Sequence, residues 1–455
     1  MAAPAHPPIS AGLVNDWLRR QSAEFKAWDM GGQVRAQFDV KANHGSFPDS
    51  TPDRDFIRNG VNNDDNVLYL REKIHLGYHR DWVQFFVEGR DSTTTGDDRT
   101  PHPFSDRFDL QQACVTVGRP NTFPLSLQVG RQQLSYGDER FVETADWSNV
   151  ERTFDAVKLR YESEWFWMEG FTGHYVLPDD GRFNESNWND WFSGVYLSTR
   201  RLIPRQETQV YLLARNTDAH SANRVTSSGA GAGARDVYTI GARVKSLPGQ
   251  FGGWDYGAEI AGQIGDVKQG PARVEHRALM ADVMGGYTWT NAPGLPRVGL
   301  DFTYGSGDSD PTDSQHETFD LLFGAAHKYY GIMDVTGLRN TISPSLNLTL
   351  RPIKKVTLRL DYFLYWLADT HDLAYAEVGK GRTVNGYGVH PNFNQFFGSE
   401  IDLVANYALT PYLNLQAGYS HFFVGDYVRQ SVSSVAANGG AVDADFLYVQ
   451  AKFNF

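Results

Sequence analysis

Short stretches of alternating apolar and polar residues recur along the whole chain. In the first of them Val34, Ala36, Phe38 and Val40 alternate with polar neighbours, and the stretch that ends at Phe455 repeats the pattern. A period of two is typical of a β-strand, because successive side chains point to opposite faces. We therefore predict eighteen strands, at residues 33–43, 67–78, 82–90, 109–117, 125–134, 153–161, 165–176, 190–199, 208–216, 237–245, 254–265, 276–289, 297–305, 340–350, 355–366, 399–409, 413–422 and 445–455.

The connections between these stretches are alternately short and long. The long ones are residues 44–66, 91–108, 135–152, 217–236, 306–339, 367–398 and 423–444. Outer-membrane barrels have short periplasmic turns and long extracellular loops. If both termini lie in the periplasm, every long connection lies outside the cell. The pattern predicts an all-β, transmembrane antiparallel β-barrel with an apolar outer face and a polar lumen.

The first part of the chain has a different pattern. Residues 1–31 are predicted to form a Pro-rich tail (1–9) and a short helix (10–28) with Ser10 as a candidate cap. We expect the helix to rest at the periplasmic mouth; a plug inside the lumen is the alternative. No apolar signal segment is visible, so we expect Met1 to replace a removed secretory signal. Residues 32–455 would form the barrel.

Composition narrows the class of protein further. Cys114 is the only cysteine, which excludes an internal disulfide framework and a cysteine-based zinc site. No apolar run reaches the roughly 18 residues of a spanning helix. The net charge of −12 argues against a nucleic-acid partner. Aromatic residues are predicted to form girdles at the membrane surfaces; the candidates are Tyr78, Trp82, Trp165, Trp254, Trp289, Tyr362, Trp366 and Tyr407.

Two long segments carry a family resemblance. Residues 130–161 (GRQQLSYGDERFVETADWSNVERTFDAVKLRY) and 310–337 (DPTDSQHETFDLLFGAAHKYYGIMDVTG) resemble the alginate-export family of Gram-negative outer-membrane barrels. The resemblance implies an 18-stranded barrel that passes an anionic polysaccharide or related solute, without catalysis and without a bound cofactor. Phe455 resembles the outer-membrane assembly signal. Unlike the alginate exporter, this chain has only short periplasmic turns and is acidic, which argues against alginate itself but not against a pore for an alginate-like polyanion.

Charged residues on the inward faces are the candidates for pore lining and substrate contact, because rings of charge decide what passes a water-filled lumen. The basic candidates are Arg35, Lys41, Arg71, Lys73, Arg90, Lys158, Arg160, Arg243 and Arg359. The acidic candidates are Asp39, Glu88, Glu259, Asp301, Asp361, Glu400 and Asp402. Pairs such as Asp39 with Arg71 or Arg359 with Glu400 would make a salt-bridged wall instead. The slight excess of bases favours a mildly anion-selective or mixed lumen. Guanidinium groups match carboxylates, so the preferred polyanion contacts are Arg35, Arg71, Arg160 and Arg359.

Two long loops have compositions unlike exposed loops. Loop 135–152 is dense in charge and is predicted to fold inward as a constriction; its candidate residues are Asp138, Glu139, Arg140, Asp146 and Trp147, with Arg131 and Arg152 at its base. Loop 306–339 is rich in apolar residues, including Phe319, Leu322, Phe323 and Tyr330. Such side chains are expected to pack against other parts of the protein rather than to face water. We predict a lid packed over or into the pore; a partner-binding face is the alternative.

Other chemistry is weakly indicated. Asp308, Asp310 and Asp313 could bind calcium in an extracellular loop, although the spacing lacks the glycine and final glutamate of an EF-hand. No nucleophile–histidine–carboxylate motif supports an enzyme.

The sequence thus predicts a passive outer-membrane channel for an anionic oligo- or polysaccharide. The alternatives are a general small-solute porin of the same fold, or a plugged surface scaffold that binds a partner. The expected partners are outer-membrane lipid and the solute, with direction set by a gradient or a periplasmic partner. The oligomeric state stays open.

Overall fold

The computed structural model describes residues 12–45, 52–97, 104–118, 123–218, 234–377 and 379–455. Strands dominate the described chain, as the alternation predicts. They are β1 (Trp28–Ala42), β2 (Asp65–Arg80), β3 (Val83–Thr95), β4 (Asp106–Gly118), β5 (Leu125–Gln132), β6 (Phe154–Glu162), β7 (Phe166–Leu177), β8 (Glu185–Thr199), β9 (Gln206–Thr217), β10 (Arg235–Ser246), β11 (Trp254–Gln269), β12 (Ala272–Thr288), β13 (Arg297–Gly305), β14 (Gln315–His316), β15 (Thr341–Ile353), β16 (Val356–Trp366), β17 (Phe396–Ala408), β18 (Leu413–Val424) and β19 (Ala444–Asn454).

The sheet closes into a barrel. Strand β1 pairs with β2 on one side and with β19 on the other, from Gln33 opposite Asn454 to Ala42 opposite Asp445. The wall strands pair antiparallel with their neighbours in chain order, and only the two-residue β14 lies outside this order, parallel to β12. Eighteen strands therefore build the wall, which confirms the predicted transmembrane barrel.

The two faces of the wall differ as the alternation requires. Phe38 is 41% exposed on the outer face, whereas Arg35, on the opposite face of the same strand, is 1% exposed. In β19, Leu447 and Val449 are exposed and Tyr448 between them is buried. Apolar side chains face lipid because no polar group can be hydrated there. Trp82, Trp165 and Trp254, three of the predicted girdle residues, are exposed at the short-turn end of the barrel.

Two predicted boundaries are wrong. Strand β1 begins at Trp28, so the wall starts before the predicted boundary at residue 32. The segment between the predicted strands 254–265 and 276–289 is not a loop, since β11 and β12 continue to a tight turn at 270–271. There Arg273 pairs with Asp236 and Asp266. Strands that rise beyond the hydrocarbon need no apolar outer face, so their alternation disappears while their pairing continues.

A short helix precedes the barrel. Helix α1 (Leu13–Gln21) and a 3₁₀ turn (Ala23–Ala27) lead directly into β1. Asn15 Nδ2 donates to Asp29 Oδ1 at 2.5 Å, and Tyr412, in a short turn, donates to Asp16 at 2.7 Å. These contacts place the helix at the end of the barrel that carries the short turns, as predicted. The predicted tail 1–9 and the predicted cap Ser10 lie outside the described residues. None of the described helices is long and apolar enough to cross a membrane.

The long loops leave the opposite end of the barrel. Two of them matter most for the lumen: L3 (residues 133–153, between β5 and β6) and L7 (residues 306–340, between β13 and β15). A second short helix, α2 (Asp426–Ser433), lies in the last loop. The alternation of short and long connections is less regular than predicted, because the connections 178–184 and 270–271 on this side are short.

Candidate functional site

Five cations lie in register on the inner face of four adjacent strands. On one level Lys452 of β19 lies opposite Arg35 of β1, and Arg35 lies opposite Arg71 of β2. On the next level Lys73 of β2 lies opposite Arg90 of β3. We call these five residues the cation row. Like charges directly opposite each other destabilise a sheet, so this arrangement requires negative partners.

Loop L3 supplies most of those partners. Asp146 of L3 contacts Arg71 at 2.6 Å through Oδ1 and Lys452 at 2.9 Å through Oδ2. Glu151 of L3 contacts Lys73 at 3.0 Å and Arg71 at 3.2 Å. Each of the two carboxylates therefore bridges two cations of the row, and L3 lies inside the barrel against this wall.

Backbone carbonyls of L3 complete the contact with the cation row. Arg35 Nη1 donates to the carbonyls of Asp146 and Trp147 at 2.6 and 2.9 Å. Arg71 Nη1 donates to the carbonyls of Asp146 and Ser148 at 3.0 and 2.9 Å. The segment 146–151 thus lies along the row as a chain of oxygen acceptors.

The other end of L3 reaches the opposite side of the barrel. Asp138 contacts Arg243 and Lys245 of β10 at 2.5 and 2.8 Å. Arg140 contacts Asp282 of β12 at 2.8 Å, and its guanidinium lies 4.1 Å from the centre of the Tyr329 ring. Strand β10 is about halfway round the barrel from β1 in the strand order. L3 therefore crosses the lumen.

Loop L7 also lies inside, but its contacts are mainly apolar. Its fully or almost fully buried side chains are Phe319, Leu321, Leu322, Phe323, Tyr330, Ile332, Met333, Val335 and Leu338. Phe323 packs edge-on against Phe154 and Phe192 of the wall at ring distances of 5.0 and 4.8 Å. The guanidinium of Arg215 covers the same ring at 4.1 Å. The wall and L3 thus provide the cover that the composition of L7 requires.

Two wall carboxylates hold the backbone of L7. Glu400 and Asp402 of β17, both fully buried, accept the backbone N–H groups of Met333 and Ile332 at 2.9 and 3.1 Å. Gly331 has a φ of +85°, and an added Cβ would lie 2.3 Å from Glu400 Oε1. The glycine is required because the chain turns here directly against the carboxylate.

Comparison with known proteins identifies the family. A family model described as alginate export matches residues 31–442. The chain belongs to the alginate-export family. It is therefore an outer-membrane β-barrel of the porin class from a Gram-negative bacterium.

Solved structures share the fold of this family member at low identity. OpdO of Pseudomonas aeruginosa is 11% identical over 94% of this chain and 97% of its own, with a TM-score of 0.58. OccAB4 of Acinetobacter baumannii is 10% identical over 94% and 98%, with a TM-score of 0.57. The outer-membrane protein OpdK of P. aeruginosa is 13% identical over 94% and 99%, with a TM-score of 0.56. A comparison with the sequences of curated proteins found no match.

Other predicted lining residues of this alginate-export protein are engaged in the wall. Arg160 contacts Glu162 and Glu169 at 3.1 and 3.7 Å, and Lys158 lies 3.7 Å from Glu169. Glu259 accepts a hydrogen bond from Tyr211 at 2.7 Å. The remaining wall residues contact other wall side chains: Arg131 on Asp155, Arg90 on Asp106, Glu88 near Lys73, Lys41 over the Phe446 ring, and Asp301 on Thr303. The predicted L3 residues contact L7 instead: Glu139 near Lys328, Trp147 stacked on His327, and Arg152 on the Phe323 carbonyl.

Neither of the two cross-wall pairs considered as the alternative forms in the structure. Asp39 accepts from Gln37, while Arg71 pairs with the two L3 carboxylates. Arg359 pairs with Asp361 at 2.6 Å, while Glu400 holds L7. In both cases an inward-folded loop binds one residue of the pair: L3 binds Arg71, and L7 binds Glu400.

The acidic stretch at the start of L7 does not assemble as predicted for calcium. Within the described residues no three His, Cys, Asp or Glu side chains form a group that could hold a metal ion. Asp310 accepts from Thr312, and Asp313 accepts from the backbone N–H of Gln315. Burial and the neighbouring Asp372 raise the pKa of Asp308 to about 6.

Loop L3 contains two carboxylates with opposite pKa shifts. Burial opposes ionisation of Asp146, yet Arg71 and Lys452 hold its pKa well below its usual range. Burial raises the pKa of Glu143 to about 7, with Arg152 opposing the shift and Glu139 and Asp334 adding to it. Asp146 is thus a fixed negative charge on the cation row, whereas Glu143 titrates near neutrality.

Sequence reasoning missed two members of the site. Lys452 lies on the polar face of the last strand and would have been found by combining the alternation with the closure of β19 on β1. Glu151 lies next to the predicted Arg152, but the sequence carries no signal that its carboxylate reaches Arg71 and Lys73.

Proposed function

We propose that this protein is a passive channel for an anionic oligo- or polysaccharide whose carboxylates move along the cation row. The observation that carries the proposal is the alignment of Lys452, Arg35 and Arg71 across three strands, with Lys73 and Arg90 on the next level. A sheet without a use for them would not place like charges opposite each other. Guanidinium groups also match the planar geometry of a carboxylate.

The inward loops support a narrow path rather than a wide pore. L3 crosses the lumen from the cation row to β10, and L7 fills part of it with apolar side chains. A narrow passage brings a solute into contact with the charged wall, and wall charge then decides which solute passes. The proposal therefore combines selection by charge with a constriction made of folded loops.

A small-carboxylate porin is the second candidate. OpdK, which shares the fold, was also solved with vanillate, a small aromatic carboxylate. The same cation row would suit such a solute. The two candidates differ in chain length: several carboxylates on one polymer bind several cations at once, whereas a monomer binds one site.

Planar-bilayer recording tests the proposal. In a KCl gradient, the reversal potential of the reconstituted protein is expected to have the sign that indicates preference for anions. Oligogalacturonate added to one side is expected to block the current. Galacturonate monomer at the same carboxylate concentration is expected to block less. Arg35→Gln with Arg71→Gln is expected to weaken both anion preference and block, whereas Arg182→Gln on an exposed loop serves as the control.

The outcomes separate the alternatives. Equal block by monomer and oligomer favours the small-carboxylate porin, and conductance without anion preference favours a general porin. Absence of conductance contradicts a channel and favours the plugged scaffold.

A further inference from the structure

The contact between L3 and the cation row has the form of a carboxylate-binding site that is already occupied. Asp146 bridges Arg71 and Lys452, and Glu151 bridges Arg71 and Lys73, at distances between 2.6 and 3.2 Å. Between them, the carbonyls of Trp147 and Ser148 accept from Arg35 and Arg71. A segment with two carboxylates and intervening oxygen acceptors has the same chemistry as a short polyuronate.

We propose that L3 is a built-in competitor of the cargo: Asp146 and Glu151 stand where two cargo carboxylates bind, and an entering polyanion displaces them from the cation row. This inference rests on the proposed function, because it takes the row to be the site that the cargo uses.

The wall itself explains why the competitor is needed. Among wall carboxylates, Asp106 of β4 pairs with Arg90. Glu88 of β3 is the one near Lys73, at a longer distance of 3.9 Å. Arg71 and Lys452 form their ion pairs with L3. When L3 leaves, these two cations lose their carboxylate partners, and a carboxylate of the cargo can take the same positions.

Asp146 and Glu151 differ in how readily a cargo carboxylate can replace them on the cation row. The Asp146 side chain is 53% exposed, whereas that of Glu151 is 3% exposed. Water and solutes therefore reach Asp146 first, and of its two partners Lys452 is 25% exposed whereas Arg71 is fully buried. Displacement starts at Asp146, and release of Glu151 then frees Lys73.

The test is block by oligogalacturonate of the full-length protein in planar bilayers, for the wild type and for Asp146→Asn with Glu151→Gln. The side-chain amides keep the size of the carboxylates but remove the competing charge. The double variant is expected to show roughly tenfold tighter block and a larger single-channel conductance. Asp180→Asn with Asp426→Asn removes two charges from other loops, where both carboxylates are exposed, and is expected to change block by less than about twofold.

The single variant Asp146→Asn keeps Glu151 in place and is expected to show an intermediate gain, so the test does not depend on assembly of the double variant. Unchanged or weaker block in both variants, with clear block of the wild type, overturns the competitor role and leaves the channel intact. If the wild type shows neither anion preference nor block, the proposed function itself has failed.

Discussion

The two loops inside the lumen share one apolar cluster, but they contact the wall differently. L3 contacts wall cations through carboxylates and carbonyls, and its Asp146 is half exposed. L7 buries aromatic and aliphatic side chains, and its backbone amides bind the wall carboxylates of Glu400 and Asp402. Ionic contacts near water are exchanged easily, whereas apolar burial contributes about 1.5–3 kcal/mol per large side chain. The comparison singles out the segment around the half-exposed Asp146 as the part of the two loops whose contacts exchange most easily.

Removing the apolar anchor of L7 should give the largest effect. Phe323→Ala leaves a cavity among Phe154, Phe192 and the Arg215 guanidinium, and is expected to destabilise the packed loop by about 3–5 kcal/mol. Thermal unfolding in detergent should show a lower midpoint, and conductance should become larger and noisier. An unchanged midpoint would show that L7 is not a fixed element.

The corresponding change at L3 should be smaller and mainly electrical. Arg71→Ala leaves Glu151 with Lys73 and Asp146 with Lys452, and is expected to cost about 3 kcal/mol, because a buried ion pair is broken. Anion preference in a KCl gradient should fall clearly. Arg182→Ala on the exposed loop 178–184 is the control, and an equal loss there would contradict a local role for the row.

The attachment of L3 should depend on pH through Glu143. Its pKa is raised to about 7 by burial, so the packed loop favours the protonated carboxyl. The resulting stabilisation is complete below the ordinary value near 4.5 and is lost as pH rises towards 7, with a limit of about 3 kcal/mol. Conductance should therefore rise from pH 5 to pH 8. Glu143→Gln should remove this rise. Asp308→Asn is the corresponding test for the second carboxyl with a raised pKa, which lies in L7.

The smallest effect is expected at the acidic support of L7. Glu400→Gln retains one acceptor for the Met333 N–H but replaces one carboxyl oxygen by an amide, and is expected to cost roughly 1–2 kcal/mol. The measurement is the same thermal midpoint as for Phe323→Ala. A loss as large as that of Phe323→Ala would mean that this polar contact, rather than apolar burial, holds L7.

Much of the barrel could be predicted because lipid imposes a strict rule on every second residue. Alternation gave all eighteen wall strands and the inward position of Arg35, Arg71 and Lys73. It failed at residues 266–275, where β11 and β12 leave the hydrocarbon and the rule no longer applies.

The contacts between loops and wall could not be predicted from the same rule. The composition of L7 showed that its apolar residues need a cover, but nothing in the sequence linked Met333 to Glu400 or Asp146 to Lys452. Such contacts depend on the path of a loop in three dimensions. The two alternative pairs that do not form, Asp39 with Arg71 and Arg359 with Glu400, were considered from the wall alone, without the loops.

L3 is joined at both ends to the wall by β5 and β6. Its two carboxylates therefore face the cations at an effective concentration set by the tether, which for short flexible connections is in the millimolar range. A free monosaccharide acid at lower concentration hardly competes with such an internal ligand. A long chain presents many acidic groups together, so on the proposed role of L3 the passage is expected to discriminate by polymer length as well as by charge.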